Sequence, residues 1–346
     1  MTAAPEPAAR VPAPGWSEPD VVIAGSACRD IAADDPRSWR LGGGVTYTAL
    51  ASARLGLRTA AVIGLDPQAF DAHELELLAA AGVALLRVPL AQGPIYLNVD
   101  SPTGRVQTCV EPGLPLPHVG VPAAWRAAGT WILAPVAGEL DDDWTDPIPD
   151  GAFVALGWQG LLRTLRAGTR VTRRAPAPGR LVGRADLVGL SEHDVEPGTP
   201  LEDLAALLHA GAWLAYTNGV AGGRLAEVTG AGLGRIVPYS AIAAAREVDA
   251  TGAGDTFLAA LVASAVRAFL DGPRGTAPNR TPADVVEPIR DSRFAAAAAS
   301  FTVEAPGLEG VPDRDAVLRR LAGQTGQSLP APPSASSSTY SAKALR

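Results

Sequence analysis

Lysine is nearly missing from this chain: its 346 residues include one, Lys343, within a stretch rich in serine and alanine near the end of the sequence. That scarcity excludes several chemistries from any folded segment. A phosphate loop built on a Gly-Lys pair, a strand lysine resting on nucleotide phosphates and a Schiff-base lysine all lack their central residue. A bound phosphate would have to be held by backbone amides, arginines or metal. Cysteine is also scarce. Cys28 and Cys109 are the two present, and their separation suits neither a close-spaced metal pair nor a disulfide framework, so a reducing cytoplasm is the expected setting. The longest apolar runs, such as 257–266, fall short of the roughly 20 residues of a membrane span. The balance of 29 basic against 36 acidic residues gives a net charge of -7, with no basic run that suggests nucleic acid as a partner. His73, His118, His193 and His209 have neither metal-ligand spacing nor a neighbouring nucleophile motif.

What is present reads as an α/β chain. Hydrophobic residues make up 47% and charged residues 19%, enough apolar surface for a large core. Apolar, β-rich runs alternate with longer helical patterns, which predicts a mainly parallel sheet with helices around it. Expected strands are 21–27, 59–64, 131–135, 153–156, 186–190 and 213–217. Expected helices are 45–55, opened by three glycines, then 70–80, 254–270 and 281–303. Two alternating runs, 95–100 and 106–111, flank the turn Ser101-Pro102-Thr103-Gly104-Arg105 and predict an antiparallel hairpin. The organisation expected is one folded unit over residues 19–323, with the hairpin region at about 90–112 and solvated tails at 1–18 and 324–346.

The segment Val248-Asp249-Ala250-Thr251-Gly252-Ala253-Gly254-Asp255-Thr256-Phe257 carries the most chemical information. A short extended run ends there and an apolar-faced helix begins. With no bulky side chains, Gly252, Ala253 and Gly254 can aim successive N–H groups at an anion, and the helix dipole adds to the attraction. Asp255 in the first turn would repel that anion unless it accepts a proton from an attacking hydroxyl. An ordinary helix-start acid is the plainer explanation. The segment Val228-Thr229-Gly230-Ala231-Gly232-Leu233-Gly234 is an internal control: it nearly repeats the glycine pattern, has leucine in place of the acid, and reads as a turn.

Asp249-Ala250-Thr251-Gly252-Ala253-Gly254-Asp255 resembles the C-terminal signature of the PfkB, or ribokinase-like, carbohydrate kinases. Gly42-Gly43 followed by Ala53-Arg54-Leu55-Gly56 is similar to the family's N-terminal signature, and the hairpin over 94–111 to its lid. The resemblance implies a three-layer sandwich with a small β lid and transfer of the terminal phosphoryl group of ATP to a hydroxyl. Asp255 would be the base, and the amides of Gly252, Ala253 and Gly254 the anion hole. It implies that Asp30, Gly42 and Gly43 hold substrate hydroxyls, consistent with a carboxylate's capacity for several donors; a solvated acid and a tight glycine turn are the plainer readings. Tyr47 stands where many sugar kinases have a substrate-binding asparagine, and it could equally be stacking on a ring or packing in a core. Arg105 at the lid turn reads more readily as exposed than as a ligand contact.

The same resemblance puts Thr217, Gly219 and Gly222, together with Thr251, near the nucleotide, at the end of a sheet strand where α/β ligands gather. It puts Asp194 near Mg²⁺, although Ser191 and Asp194 replace the family's asparagine and glutamate, and a plain acidic helix start is the alternative there. It also allows K⁺ beside Asp249 and a homodimer formed through the lid. The acceptor expected is a sugar or cyclitol; the alternatives are a nucleoside kinase of the same fold or a ligand-binding homologue without turnover.

Overall fold

The computed structural model describes residues 16, 18–101, 104–118, 120–271 and 288–324. The proposed tails, apart from a few bordering residues, and positions 281–287 of the last expected helix lie outside them.

The chain opens with β1 (Val21–Ser26), β2 (Cys28–Ile31), β3 (Trp39–Gly42) and helix α1 (Gly44–Arg54). Next come β4 (Thr59–Leu65), α2 (Glu74–Ala80), β5 (Ala84–Pro89), and the hairpin of β6 (Pro94–Ser101) and β7 (Gly104–Pro112). After α3 (Ala123–Arg126) follow β8 (Thr130–Leu133), β9 (Phe153–Gly157) and three two-residue strands, β10 (Arg163–Thr164), β11 (Thr169–Arg170) and β12 (Thr172–Arg173). The remainder is α4 (Arg180–Arg184), β13 (Leu187–Ser191), α5 (Leu201–Ala205), β14 (Trp213–Thr217), β15 (Gly223–Thr229), β16 (Gly232–Tyr239), α6 (Ala253–Asp271), α7 (Pro288–Thr302) and α8 (Arg314–Gln324).

Nine strands form the central sheet in the order β16-β15-β14-β13-β9-β8-β1-β4-β5. The seven from β14 to β5 are mutually parallel, while β15 and β16 extend one edge antiparallel. A parallel strand covered on both faces reads as a continuous apolar run, and every residue of β1 is buried. Val21 and Ile23 pack with α1, α6 and α7 on one face, whereas Val22 and Ala24 meet Trp125, Trp144 and Leu181 on the other. The result is the expected three-layer α/β arrangement.

A second sheet, β11-β7-β6-β2-β3, stands over the carboxyl ends of these strands. The hairpin is the one expected, but β2 and β3 are additions, and they place Asp30 within the lid sheet rather than at the close of the first strand. The glycine-rich segment 228–234 holds a turn, as expected, whose residues 230–231 join β15 to β16. Helix α2 begins four residues later than expected because 70–73 form turns. Among the described residues, no helix is long and apolar enough to cross a membrane.

Helix α6 is seated on the sheet by glycines beneath it. A Cβ on Gly189 would come within 3.3 Å of Leu258 Cδ1, and one on Gly157 within 3.9 Å of Leu258 Cδ2. Leu258 is 3% exposed, and this contact fixes the height of the helix start above the strand ends. Leu258→Ala should therefore lower unfolding stability by about 2–5 kcal/mol, read from the denaturant midpoint at an unchanged slope.

Candidate active site

The glycine turn at 252 has a specific cause. Gly252 has φ +80°, and a Cβ there would meet three carbons of the Tyr47 ring at 2.1–2.4 Å. Tyr47, on the first turns of α1, is 2% exposed. Its ring supports the turn from beneath, and of the two roles open from the sequence the structure displays packing. Asp249 ties the preceding residues together: Oδ1 accepts from Thr251 N at 3.0 Å and Thr251 Oγ1 at 2.6 Å, and Oδ2 from Gly307 N at 3.5 Å. The turn thus delivers the chain into α6 with first-turn amides that have no acceptor one helical turn back. The Ala253 amide makes a long bond of 3.4 Å to Ala250 O. Gly254 is exposed, and the volume its side chain would take is empty to 4 Å.

Asp255 lies beside this opening. A Cβ on Gly44 would come within 2.9 Å of Asp255 Oδ1 and 3.3 Å of Ala134 O, so the acid rests against the glycine that starts α1. Among the described residues no donor bonds to its carboxylate. Burial pushes its pKa up to about 6; the Arg163 guanidinium pulls it down, and Asp194 adds to the rise.

Asp30 forms the opposite wall. Its Oδ1 accepts from Asn98 Nδ2 at 3.1 Å and its Oδ2 from the Cys28 thiol at 3.5 Å. Gly42 is obligatory because a Cβ there would lie 2.2 Å from Asp30 Oδ2, and Gly43, at φ +99°, passes over Ser26 O and Cys28 N. Burial raises Asp30 to about 6 as well. Asp30, Tyr47, Asn98, Asp249, Thr251 and Arg40 are among the residues lining one cleft of about 210 Å³. Thr251, expected near the nucleotide, therefore lines the cleft that holds Asp30.

The other residues expected on the nucleotide side gather beyond the strand ends. Thr217 is in register with Ser191 across β13 and β14. Asp194 Oδ2 accepts from Ser191 N at 2.7 Å and Ser191 Oγ at 2.8 Å, and Oδ1 from Gln159 Nε2 at 3.0 Å. The segment 191–194 is a turn rather than a helix start. Gly222, at φ +88°, lies against Tyr239 O, where a Cβ would approach to 2.1 Å; this need is structural. Gly219 has φ +46° and open space around it.

Residues without a sequence motif complete the site. Glu139, 3% exposed, accepts from Ser26 N at 2.8 Å and Ala137 N at 2.7 Å and shapes the loop after β8. Asn98 was in principle legible, since its alternation in β6 puts it on the same lid face as Tyr96. Arg163 and Gln159 belong to no familiar pattern. Among the described residues no group of three or more His, Cys, Asp or Glu side chains is placed to hold a metal. Asp194 has capacity left on Oδ1 for a metal-bound water, which suits the way Mg²⁺ keeps its hydration.

Residues 174–314 match the family model described as pfkB family carbohydrate kinase. Among solved structures, a pyrophosphate-dependent kinase in the ribokinase family, complexed with a pyrophosphate analog and myo-inositol, aligns at TM-score 0.64 and 17% identity over 86% of this chain and 99% of its own. Arabidopsis thaliana ribokinase complexed with ribose and ATP aligns at TM-score 0.59 and 21% identity, covering 88% and 99%. The Methanocaldococcus jannaschii nucleoside kinase aligns at TM-score 0.59 and 16% identity, covering 88% and 98%. No curated protein matches the sequence. The family match is thus confined to residues 174–314, and the overall fold is that of the ribokinase-family structures.

The raised pKa of Asp255 has a consequence for stability. Between the ordinary carboxyl value of 3.8 and about 6, the folded state binds more protons than the unfolded one, so stability falls as pH rises through that window. Above it the penalty is complete. Asp255→Asn should unfold at a higher temperature than the parent at pH 7–8, with the gain vanishing near pH 3.5, as thermal melts across that range would show.

Proposed function

We propose that this chain is an ATP-dependent kinase that phosphorylates a hydroxyl of a sugar or cyclitol, with Asp255 as general base. One observation supports this reading above the others: a carboxylate that, among the described residues, has no hydrogen-bond partner, raised to about 6 by burial, beside the first-turn amides of a long helix. A base poised near neutral pH next to an anion site suits proton removal during phosphoryl transfer.

The acceptor lies along the cleft with neighbouring hydroxyls on Asp30 and the Gly42-Gly43 backbone, while Asn98 holds Asp30 in orientation. Its reacting hydroxyl gives its proton to Asp255 as the oxygen bonds to the γ-phosphorus. The bond from that phosphorus to the bridging oxygen breaks, and its electron pair leaves with ADP. The amides of Gly252, Ala253 and Gly254 face the charge that develops. Thr217 and Gly219 border the nucleotide, with Gly222 shaping the turn. Mg²⁺, held through water at Asp194, would neutralise charge on the donor phosphates. A K⁺ ion would rest on carbonyls of the turn that Asp249 fixes. Closure of the lid would exclude water, which otherwise competes for the phosphoryl group.

Tyr47 favours a polyol over a nucleoside acceptor. It is the one aromatic among the described residues lining the cleft, and its ring is covered by Gly252, leaving no face for a base to stack on. The work would be done in the cytoplasm, in keeping with two free cysteines. A homodimer would use the outer lid face, where Ile31, Leu97, Val99 and Val110 are exposed.

Two measurements check these statements. Asp255→Asn should lower kcat by about 10²–10⁴-fold in an ADP-release assay over a panel of sugars, cyclitols and nucleosides, with acceptor binding kept within a few-fold; near-parental turnover would remove Asp255 as the base. Leu97→Glu with Val99→Glu should convert a dimer to monomer in sedimentation velocity, and a parent chain that is already monomeric at high concentration excludes the lid dimer.

A further inference from the structure

A phosphoryl group in flight spreads negative charge over three equatorial oxygens, and positive groups must meet it. The glycine turn offers amide dipoles alone, and the described residues contain no lysine. Arg40 lines the outer cleft beside Asp34, and the structure brings a second guanidinium within electrostatic reach of both Asp30 and Asp255, through a segment that no motif marks.

Beyond β9, residues Trp158–Leu162 form a 3-10 turn anchored by Trp158 and Leu162, each 1% exposed. Gly160 in this turn packs against the strand-end loop that follows β8: a Cβ there would lie 2.2 Å from Pro135 O and 2.6 Å from Val136 N. No residue but glycine fits, so the position of the turn is fixed against the same loop whose Ala134 O borders Gly44. The two ends of the turn point to different halves of the site. Gln159 donates to Asp194 at 3.0 Å, and Arg163 extends over the Tyr96 ring with its Cζ 5.9 Å from the centroid. Arg163 Nη1 reaches Val136 O at 3.4 Å, the carbonyl that already accepts from Tyr96 Oη at 3.0 Å.

Arg163 is half-buried, and among the described residues no carboxylate lies within ion-pair distance of it. A buttressing arginine would be expected to close a bidentate pair, as Arg37 does with Glu74 at 2.6 and 2.9 Å. A long bond to a shared carbonyl leaves most of the guanidinium's five N–H groups available. Its charge nonetheless acts on both acids of the cleft, lowering Asp30 and Asp255 against the rise that burial imposes.

We propose that Arg163 contacts the phosphoryl group as it passes between donor and acceptor, supplying from the 158–163 turn the positive charge that lysine does not supply here. This inference rests on the kinase reading above. The guanidinium bridges equatorial oxygens while the acceptor oxygen bonds to phosphorus, and its own protons stay on its nitrogens. Gln159, by orienting Asp194 from the same rigid turn, couples the donor side to that contact.

The test compares Arg163→Met, Arg163→Gln and Arg163→Lys in the full chain, with ATP, Mg²⁺ and the best acceptor from the panel. Arg163→Met should lower kcat by about 10²–10³-fold with acceptor KM within threefold. Lysine should recover at least tenfold of that loss, and added guanidinium should partly rescue the Met variant. The acid limb of kcat/KM should move to higher pH, because the ionised base loses a favourable charge. If Arg163→Met does not fold by thermal melt, Arg163→Gln, which keeps a donor for Val136 O, stands in. Turnover within threefold of the parent, or a loss confined to acceptor KM, overturns the proposal. A parent chain that yields no phosphorylated acceptor sinks the kinase reading itself. An Asp255→Asn variant that turns over normally beside a crippled Arg163→Met removes the base assignment and leaves the arginine.

Discussion

The ring of Tyr47 fills the space in which any side chain at 252 would stand, and much of the site follows from that contact. It forces a residue with positive φ and no Cβ at the entry to α6, which sets the bend by which the chain passes from Thr251 into the helix. It commits the aromatic ring to packing against the turn. It also ties α1 to α6, and because Gly43 and Gly44 start α1, the Gly42-Gly43 backbone and Asp255 are set in one rigid unit. Gly44 touching Asp255 Oδ1 is the same join seen from the other side.

Electrostatics then decides what this unit can do. Asp30 and Asp255 are both raised to about 6 by burial, so the site holds two carboxyls that ionise reluctantly. Ion pairing would drive their pKa values down and weaken them as proton acceptors. The structure avoids this: Asp30 has Asn98 and a thiol as donors, and Asp255 has none among the described residues. Arg163 acts at a distance that tempers the cost of the two charges without forming a salt bridge to either. A base is useful near neutral pH when its affinity for a proton is intermediate, and this arrangement produces that value from burial and a displaced cation.

The legibility of the sequence was uneven for physical reasons. The parallel core was plain because buried strands such as Val21–Ser26 are continuous apolar runs and periodicity reports burial directly. The 249–255 segment was plain because small residues, an acid and an amphipathic helix coincide within one turn. Strands β2 and β3 are not legible because each has four residues, too few for the alternation that buries Trp39 and Leu41 to stand out. Asp30 was picked by resemblance, while its register opposite Tyr96 depends on strands distant in the chain. Gly160 and Arg163 could not be read at all: the glycine answers to Pro135, some 25 residues earlier, and the arginine is defined by what it does not pair with.

The residues gathered at the site, named from the sequence or not, share one location. Asp30 follows β1, Gln159 and Arg163 follow β9, Ser191 and Asp194 close β13, and Thr217 ends β14. Parallel strands present all their carboxyl ends at one edge, so loops from separate parts of the chain meet there without any of them needing a contiguous signature. The glycine turn at 252 is the exception, since consecutive amides must come from consecutive residues. In a chain whose lysine lies outside the described residues, positive charge at that edge falls to arginine, whose long side chain can be anchored far from where its charge acts. A motif therefore marks the part of this site built from backbone, whereas the part built from side-chain charge is dispersed among strand ends and becomes visible when the sheet is assembled.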